Sequence, residues 1–363
     1  MNAARLNGQV RIVGTGLLGT SIGLALREQG VDVVLANRSP AALRLAVDYG
    51  AGREASSEDS PALVIVAVSP DSTAEIVAAE LIAHPEALVT DVASVKAGIL
   101  ADLIARGADV ARYLGSHPMA GREKGGAISA RADIFLGRPW VIAPHAGSTV
   151  EQERMLEDLA LDLGSVPIRL EPDAHDRGVA LVSHVPQVVA SLLAARLLDG
   201  QDAVAALAGQ GLRDTTRIAA SDPELWIQIL AANAGPVAHI LEEFRHDLDG
   251  VIEALERPDA PGAPTRVAAM LTRGNQGVAR IPGKHGGDAR YATLVVQVAD
   301  EPGELARLLT EIGEEGVNLE DFRLEHSPNA QIGFAEIAVL PEVARDLADA
   351  LIGRGWALAE SRR

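Results

Sequence analysis

Three stretches of this chain have residue types and spacing suited to chemistry. The first is Gly14-Thr15-Gly16-Leu17-Leu18-Gly19, between an apolar run, Val10–Val13, and a helical stretch, Leu17–Gln29. Glycines at that spacing allow a tight turn and close backbone approach, and the N–H groups opening the helix attract a pyrophosphate. Gly14, Gly16, Leu17, Leu18 and Gly19 are therefore expected to contact a dinucleotide. The second stretch, Gly115-Ser116-His117-Pro118-Met119-Ala120-Gly121, offers an imidazole on a loop bounded by Gly and Pro. An imidazole there can take a proton from a hydroxyl while hydride leaves the same carbon, or it can be structural. The third, Gly211–Ala219, carries Arg213 and Arg217 one helical turn apart. Arginine's planar fork suits a carboxylate, although Arg213 can equally pair with Asp214.

Other residues fall on the rim where strands end and cofactor crevices form in open α/β sheets. Ser69-Pro70 ends one apolar run, and Asp91-Val92-Ala93-Ser94-Val95-Lys96 follows another. Ser94 is placed to orient His117 or to cap a helix, and Lys96 to face the nucleotide. The second strand ends in Asn37-Arg38, where a carboxylate would bind the ribose of NAD. Asn37 does not repel a 2′-phosphate and Arg38 can pair with one, so NAD and NADP both remain open. His175-Asp176 and Ser183-His184 lie nine residues apart with no third clustered ligand, so no metal site is expected; His184 is alternatively a hydrogen-bond donor to a carboxylate.

The elements positioning these groups change character along the chain. Val10–Val13, Val31–Ala36, Leu63–Val68, Leu88–Thr90 and Trp140–Ala143 read as strands, with helical stretches between. That alternation predicts a parallel, doubly wound α/β sheet of Rossmann type over residues 1–171. Ala180–Leu198, Asp202–Ala208, Glu224–Ala231 and Pro236–Leu255 read as helices of an all-α domain over 172–282, with a short helix near Val267–Thr272. Several are apolar on most sides, which suits burial against a second subunit, hence a homodimer, or a thick monomeric bundle. A Gly-rich linker spans 283–290. A small α+β module of β-α-β-β-α order, strands near Tyr291–Val298, Asn318–His326 and Ile332–Leu340, fills 291–363.

Composition narrows the function classes. The chain has 363 residues, 48% hydrophobic but only 3% aromatic, so its cores must be filled by Leu, Val, Ile and Ala. A formal net charge of -18 argues against nucleic acid as a partner. The absence of Cys excludes disulfides and fits a reducing compartment. Met1–Gln9 has no signal-peptide character, and no run approaches the ~18 apolar residues of a membrane span, so a cytoplasmic, membrane-free protein is expected.

Taken together, the ordered motifs resemble the prephenate/arogenate dehydrogenase family of tyrosine biosynthesis. The carriers are the glycine turn, Asp91–Lys96, Gly115–Gly121, Val182-Ser183-His184-Val185-Pro186, Arg213–Ala219 and Ser221–Trp226. The Tyr291–Gly355 module resembles an ACT domain through Asp300–Leu305 and Gly316–Leu319. The resemblance implies oxidative decarboxylation of prephenate, or of arogenate, with NAD or NADP. It implies that His117 accepts the ring-hydroxyl proton, that Ser94 hydrogen-bonds His117 or substrate, and that His184 and Arg217 bind substrate while Trp226 closes the pocket. It also implies L-tyrosine as an effector near Gly303 and Asn318, with feedback inhibition. Arg122, Gln187 and Asn37 depart from the usual pattern, the first two where substrate specificity is set. An inactive amino-acid sensor on the same scaffold is the alternative outside enzymology.

Overall fold

The computed structural model describes residues 4–121, 126–199, 207–281, 291–326 and 332–359. The chain divides into two compact units, Met1–Gly200 with Thr215–Phe244, and Gln201–Asp214 with Arg245–Arg363. The boundary expected at 171/172 falls inside the first of these.

The first unit opens with β1 (Val10–Val13), α1 (Leu17–Glu28), β2 (Val33–Ala36), α2 (Pro40–Asp48), β3 (Arg53–Glu54), β4 (Leu63–Val66), α3 (Pro70–Ala83) and β5 (Leu88–Asp91). The strands form one parallel sheet in the order β3-β2-β1-β4-β5, with Val10 opposite both Val33 and Leu63, and Leu63 opposite Leu88. Every residue of β4 and β5 is buried, which is why β4 is an unbroken apolar run, while β5 ends in the buried polar pair Thr90-Asp91. Successive connections leave β1 toward β2 on one side and β4 on the other. The order reverses there, opening a crevice beyond the carboxyl ends of β1 and β4.

Next come α4 (Ala97–Ala105), β6 (Gly115–Pro118), β7 (Pro139–Ala143), α5 (Val150–Asp162) and β8 (Val166–Arg169). Strands β6, β7 and β8 make a separate three-stranded sheet, with β6 antiparallel to β7 and β7 parallel to β8. Two expectations are corrected here. The strands do not all run parallel, and His117 lies within β6, paired with Val141, rather than on a loop. A proline is tolerated because β6 is an edge strand, where a missing N–H costs no ladder bond. Trp140 fills the core beside β6 and meets Phe135 edge to face, so aromatics are few but central.

A continuous helical stretch follows: α6 (Pro172–Val179), a π-helical turn (Ala180–His184) and α7 (Val185–Ala195). By length and mean composition Pro172–Asp199 is apolar enough to cross a membrane, although it contains no run of ~18 consecutive apolar residues. Its first turns nevertheless carry His175 and Asp176, both buried within this unit. Beyond it lie α8 (Gln210–Thr216), a 3-10 turn (Arg217–Ala219), α9 (Pro223–Ala232) and α10 (Ala234–Glu256). Ala180, Val185 and Val237 form a small core here, while Val182, Leu192 and Ile227 remain exposed. Most of the expected helix Asp202–Ala208 lies outside the described residues.

In the second unit, α11 (Ala263–Val278) replaces the short helix expected near Val267–Thr272. Then come β9 (Ala292–Ala299), α12 (Glu304–Glu314), β10 (Asp321–His326), β11 (Ile332–Val339), α13 (Pro341–Gly353) and β12 (Ala357–Ala359). The sheet order is β10-β11-β9-β12, all antiparallel. A β-α-β-β-α-β chain in that order is the ferredoxin-like arrangement. The final strand adds to the five elements read from sequence. Both helices bury one face against the sheet, through Leu308, Ile312, Leu347 and Leu351. The expected linker 283–290 lies outside the described residues.

Candidate active site

The glycine turn is shaped for a phosphate. Gly14 has φ +101°, and a Cβ there would sit 2.3 Å from the carbonyl oxygen of Ala67. A Cβ on Gly19 would lie 2.0 Å from the Gly14 carbonyl, so that glycine lets α1 close against the turn. Gly16 is different: a Cβ there meets nothing within 4 Å. Gly16 caps α1 without a side-chain bond and no acid occupies the first turn, so the opening N–H groups of the helix, at Leu17 and Leu18, are available to an anion. These features fit a dinucleotide pyrophosphate. At the end of β2, Asn37 donates to Thr15 Oγ1 at 2.5 Å and accepts from the Ser39 N–H, which ties it back to the turn. Arg38 is exposed. Ser69 and Pro70 open α3 at the other lip of the crevice, and α9, which carries Trp226, packs on α3.

Below this crevice lies a buried network. Asp91, at the end of β5, accepts from the Ala93 N–H at 2.8 Å and from the Tyr113 hydroxyl at 2.6 Å. Its Oδ1 also pairs with Lys96 Nζ, both side chains being almost fully buried. This corrects the placing of Lys96 at the nucleotide: its ammonium is committed to Asp91 inside the protein. Burial lowers the Lys96 pKa despite the opposing pull of Asp91, and raises that of Tyr113 well above the usual phenol value, with Asp91 adding to the rise.

The N-terminus of α4 holds a second carboxylate. Asp176 Oδ1 accepts from the Lys96 N–H at 2.8 Å and Oδ2 from the Ala97 N–H at 2.9 Å. Burial pulls the Asp176 carboxyl upward, but His175 and these two N–H groups outweigh it and hold it below the usual carboxylate value. His175 is fully buried; its Nδ1 lies 2.7 Å from Asp176 Oδ1, and its Nε2 lies 2.9 Å from His117 Nδ1. The partner of His117 is therefore His175 and not Ser94. Ser94 is half-buried on the turn between β5 and α4 and does not bond the imidazole. Burial pushes the His117 pKa well below the usual imidazole value, and His175, Lys96 and His184 push it the same way.

His184 is the terminus of the π-helical turn, a local widening often found at functional positions. Its Nδ1 lies 3.0 Å from Asn233 Nδ2, which also lies 2.8 Å from the Asp176 backbone carbonyl. A carbonyl only accepts, so that atom of Asn233 is the amide nitrogen and His184 Nδ1 is unprotonated. The neutral ring then carries its proton on Nε2. The expected carboxylate partner of His184 is thus replaced by an asparagine amide. Burial lowers the His184 pKa to about 4, His175 adding to the shift and Asp176 opposing it. Trp226 meets His184 edge to face at 6.1 Å.

The remaining candidates are less central. Gln187 is buried on α7 and donates to Ser191 at 3.4 Å. Arg217 is exposed on a turn packed against α7. Asp214 accepts from Gln210 at 2.8 Å. Arg122 lies outside the described residues. In the second unit Gly303 has φ +98° at the start of α12, and Asn318 is exposed before β10. Two participants were missed as such, His175 and Asn233. In sequence the adjacent His175-Asp176 pair carries only the character of a metal-ligand candidate. An asparagine between two Ala-rich helices was the signal for Asn233.

Comparison with known proteins agrees with this layout. Residues 22–168 match the nucleotide-binding domain of prephenate dehydrogenase, and residues 171–271 its dimerization domain. Neither match reaches the C-terminal sheet. The chain is 36% identical to the probable prephenate dehydrogenase NovF of Streptomyces niveus, across 95% of this chain and 98% of that one. Among solved structures, prephenate dehydrogenase from A. aeolicus, in complex with hydroxyphenyl propionate and NAD+, is 26% identical with a TM-score of 0.66; the match covers 75% of this chain and 98% of that one. Synechocystis arogenate dehydrogenase is 25% identical with a TM-score of 0.62, covering 74% and 99%.

Proposed function

Because the chain belongs to the prephenate dehydrogenase family, we propose that it oxidises prephenate with a nicotinamide nucleotide and releases carbon dioxide, giving 4-hydroxyphenylpyruvate. The observation that carries this reading is a half-buried His117 held by His175 at 2.9 Å, in the same unit as a glycine turn whose Gly14 and Gly19 have no room for a side chain.

When bound, the nicotinamide ring supplies the hydride acceptor. The residues of this chain do the rest. Gly14, Gly16, Gly19, Leu17 and Leu18 hold the pyrophosphate, with Asn37, Arg38, Ser69 and Pro70 around the rest of the nucleotide. His117 takes the ring-hydroxyl proton at Nε2 as hydride departs from the same carbon. The ring then carries a ketone; the bond to its carboxylate breaks, that electron pair makes the ring aromatic, and the ketone oxygen, now a phenolate, takes back the proton held by His117. Loss of carbon dioxide makes the sequence effectively irreversible. His117 must be neutral to act as a base, and its depressed pKa keeps it so at neutral pH. His184, Gln187, Arg217 and Arg122 are the proposed substrate contacts, with Trp226 closing the pocket, Arg217 suited to a carboxylate and Ser94 to the substrate or ring.

Similarity to Synechocystis arogenate dehydrogenase supports a second reading, in which an amino group replaces the keto group and the chemistry is unchanged. NAD is the first choice of cofactor, since the A. aeolicus structure holds it, while exposed Arg38 also suits the 2′-phosphate of NADP. We further propose a cytoplasmic homodimer, supported by the dimerization-domain match and the exposed Val182, Leu192 and Ile227. The C-terminal unit is proposed as an ACT domain binding L-tyrosine near Gly303 and Asn318, supported by its ferredoxin-like strand order. One assay tests these readings: nicotinamide reduction with prephenate or arogenate, each with NAD or NADP, then with L-tyrosine added. Turnover with prephenate, slowed by tyrosine, is expected. Turnover with arogenate alone would favour the second reading, and binding without turnover would favour a sensor.

A further inference from the structure

We propose that His175 is the positioning residue that makes His117 a base: anchored by Asp176, it accepts the Nδ1 proton of His117 and leaves the Nε2 lone pair for the substrate hydroxyl. The three groups form a line, with 2.7 Å from Asp176 Oδ1 to His175 Nδ1 and 2.9 Å from His175 Nε2 to His117 Nδ1. Counting protons along that line gives its direction. An ionised carboxylate only accepts, so His175 Nδ1 donates to Asp176. A neutral His175 then has a bare Nε2, which accepts from His117 Nδ1. Neutral His117 consequently has a bare Nε2. Had the line run the other way, Nε2 would carry a proton and could not take another while neutral.

The anchor of the line is backbone. Asp176 is gripped by the N–H groups of Lys96 and Ala97 at the start of α4. Asn233 fastens the same residue through its carbonyl oxygen. His175 is fully buried, so water does not compete for either ring nitrogen. The line also provides for the proton once taken. As Nε2 of His117 is protonated, its Nδ1 proton can move to His175 Nε2, bringing the positive charge next to the Asp176 carboxylate; one proton enters and none is lost. The titratable groups around His117 are Lys96 at the start of α4, held by Asp91 of β5, His175 and Asp176 of α6, and His184 of the π-helical turn. Burial and the neighbouring Lys96 disfavour its cationic form.

The kinetic part of this inference rests on the proposed reaction, but the tautomer does not, so the two can fail separately. Nitrogen-15 NMR of histidine-labelled full-length protein, without substrate, reads the tautomer directly. His117 is expected as the neutral Nδ1–H form between pH 6 and 8. In His175→Leu it should lose that preference. With substrate, kcat should fall ~100-fold or more while KM changes little, because a general base in the wrong tautomer forfeits most of a 10²–10⁴-fold contribution. His175→Gln, whose Oε1 can still accept from His117 Nδ1, should recover about tenfold of that loss. A wild-type His117 protonated on Nε2 overturns the proposal, with no need for either variant to fold. So does a His175→Leu protein with tautomer and kcat unchanged.

Discussion

The depressed pKa of His184 makes folding stability depend on pH in a defined window. In the unfolded chain the imidazole titrates near 6.5, and in the folded protein burial lowers it to about 4. Below pH 6.5 the unfolded state therefore gains a proton that the folded state refuses. The stability contribution is complete above pH 6.5 and is lost as pH falls toward 4. Each pKa unit is worth about 1.4 kcal/mol, so His184 alone should cost about 2 kcal/mol by pH 5 and about 3 kcal/mol by pH 4. The ring is only 1% exposed, so solvent screening takes little from this. Urea unfolding of wild type and His184→Asn at pH 7.5, 6 and 5 measures it. The asparagine Oδ1 takes the place of Nδ1 and can still accept from Asn233 Nδ2, so the two proteins should be of similar stability at pH 7.5, within ~1 kcal/mol for one altered hydrogen bond. On acidification the wild type should lose more, the gap between them shifting by about 2 kcal/mol in favour of the variant by pH 5. The slope left in the variant belongs to His117, displaced in the same direction. Parallel pH curves for the two proteins would refute the reasoning.

Two further perturbations separate architecture from binding. Gly16→Ala should leave Tm within about 2 °C, because nothing lies within 4 Å of the new Cβ, yet raise the nucleotide Kd at least tenfold by filling the phosphate approach. Gly14→Ala should instead destabilise the fold itself, since its φ of +101° and the Ala67 carbonyl both oppose a Cβ; thermal unfolding with a nucleotide titration distinguishes the two. Lys96→Met should cost about 3–5 kcal/mol in chemical unfolding by stranding the buried Asp91, and Lys96→Met with Asp91→Asn should recover a large part. A Lys96→Met protein as stable as wild type would show that the ion pair does not hold this corner together.

Much of the architecture was legible because its signals are local. The glycine spacing, the apolar run at Leu63–Val66, the short strand signal at Leu88–Thr90, and the helical periods after residue 172 each declare an element within a few residues. The register of β6 against β7 was not legible, because Gly115-Ser116-His117-Pro118 has loop composition and becomes a strand only through pairing with Trp140–Ala143. The site divides along the same line. His117 stood out by its setting, whereas His175 meets it across 58 residues of sequence and Asn233 reaches Asp176 across 57. Lys96 illustrates the opposite difficulty. Its position after a strand suggested the crevice rim, but Asp91, only five residues earlier, turns it inward once Tyr113 closes over the pair. Spacing shows which residues gather at a rim; which way each side chain faces is decided by partners that only tertiary packing supplies.

The central claim is that His117 removes a proton as hydride leaves. His117→Asn tests it most directly, since an asparagine amide can still donate to His175 Nε2 but offers no base at the Nε2 position. Prephenate-dependent nicotinamide reduction by the two proteins should differ by a factor of ~10³ or more in kcat, with the nucleotide Kd unchanged. Comparable turnover by the variant, or none by the wild type, would contradict the account.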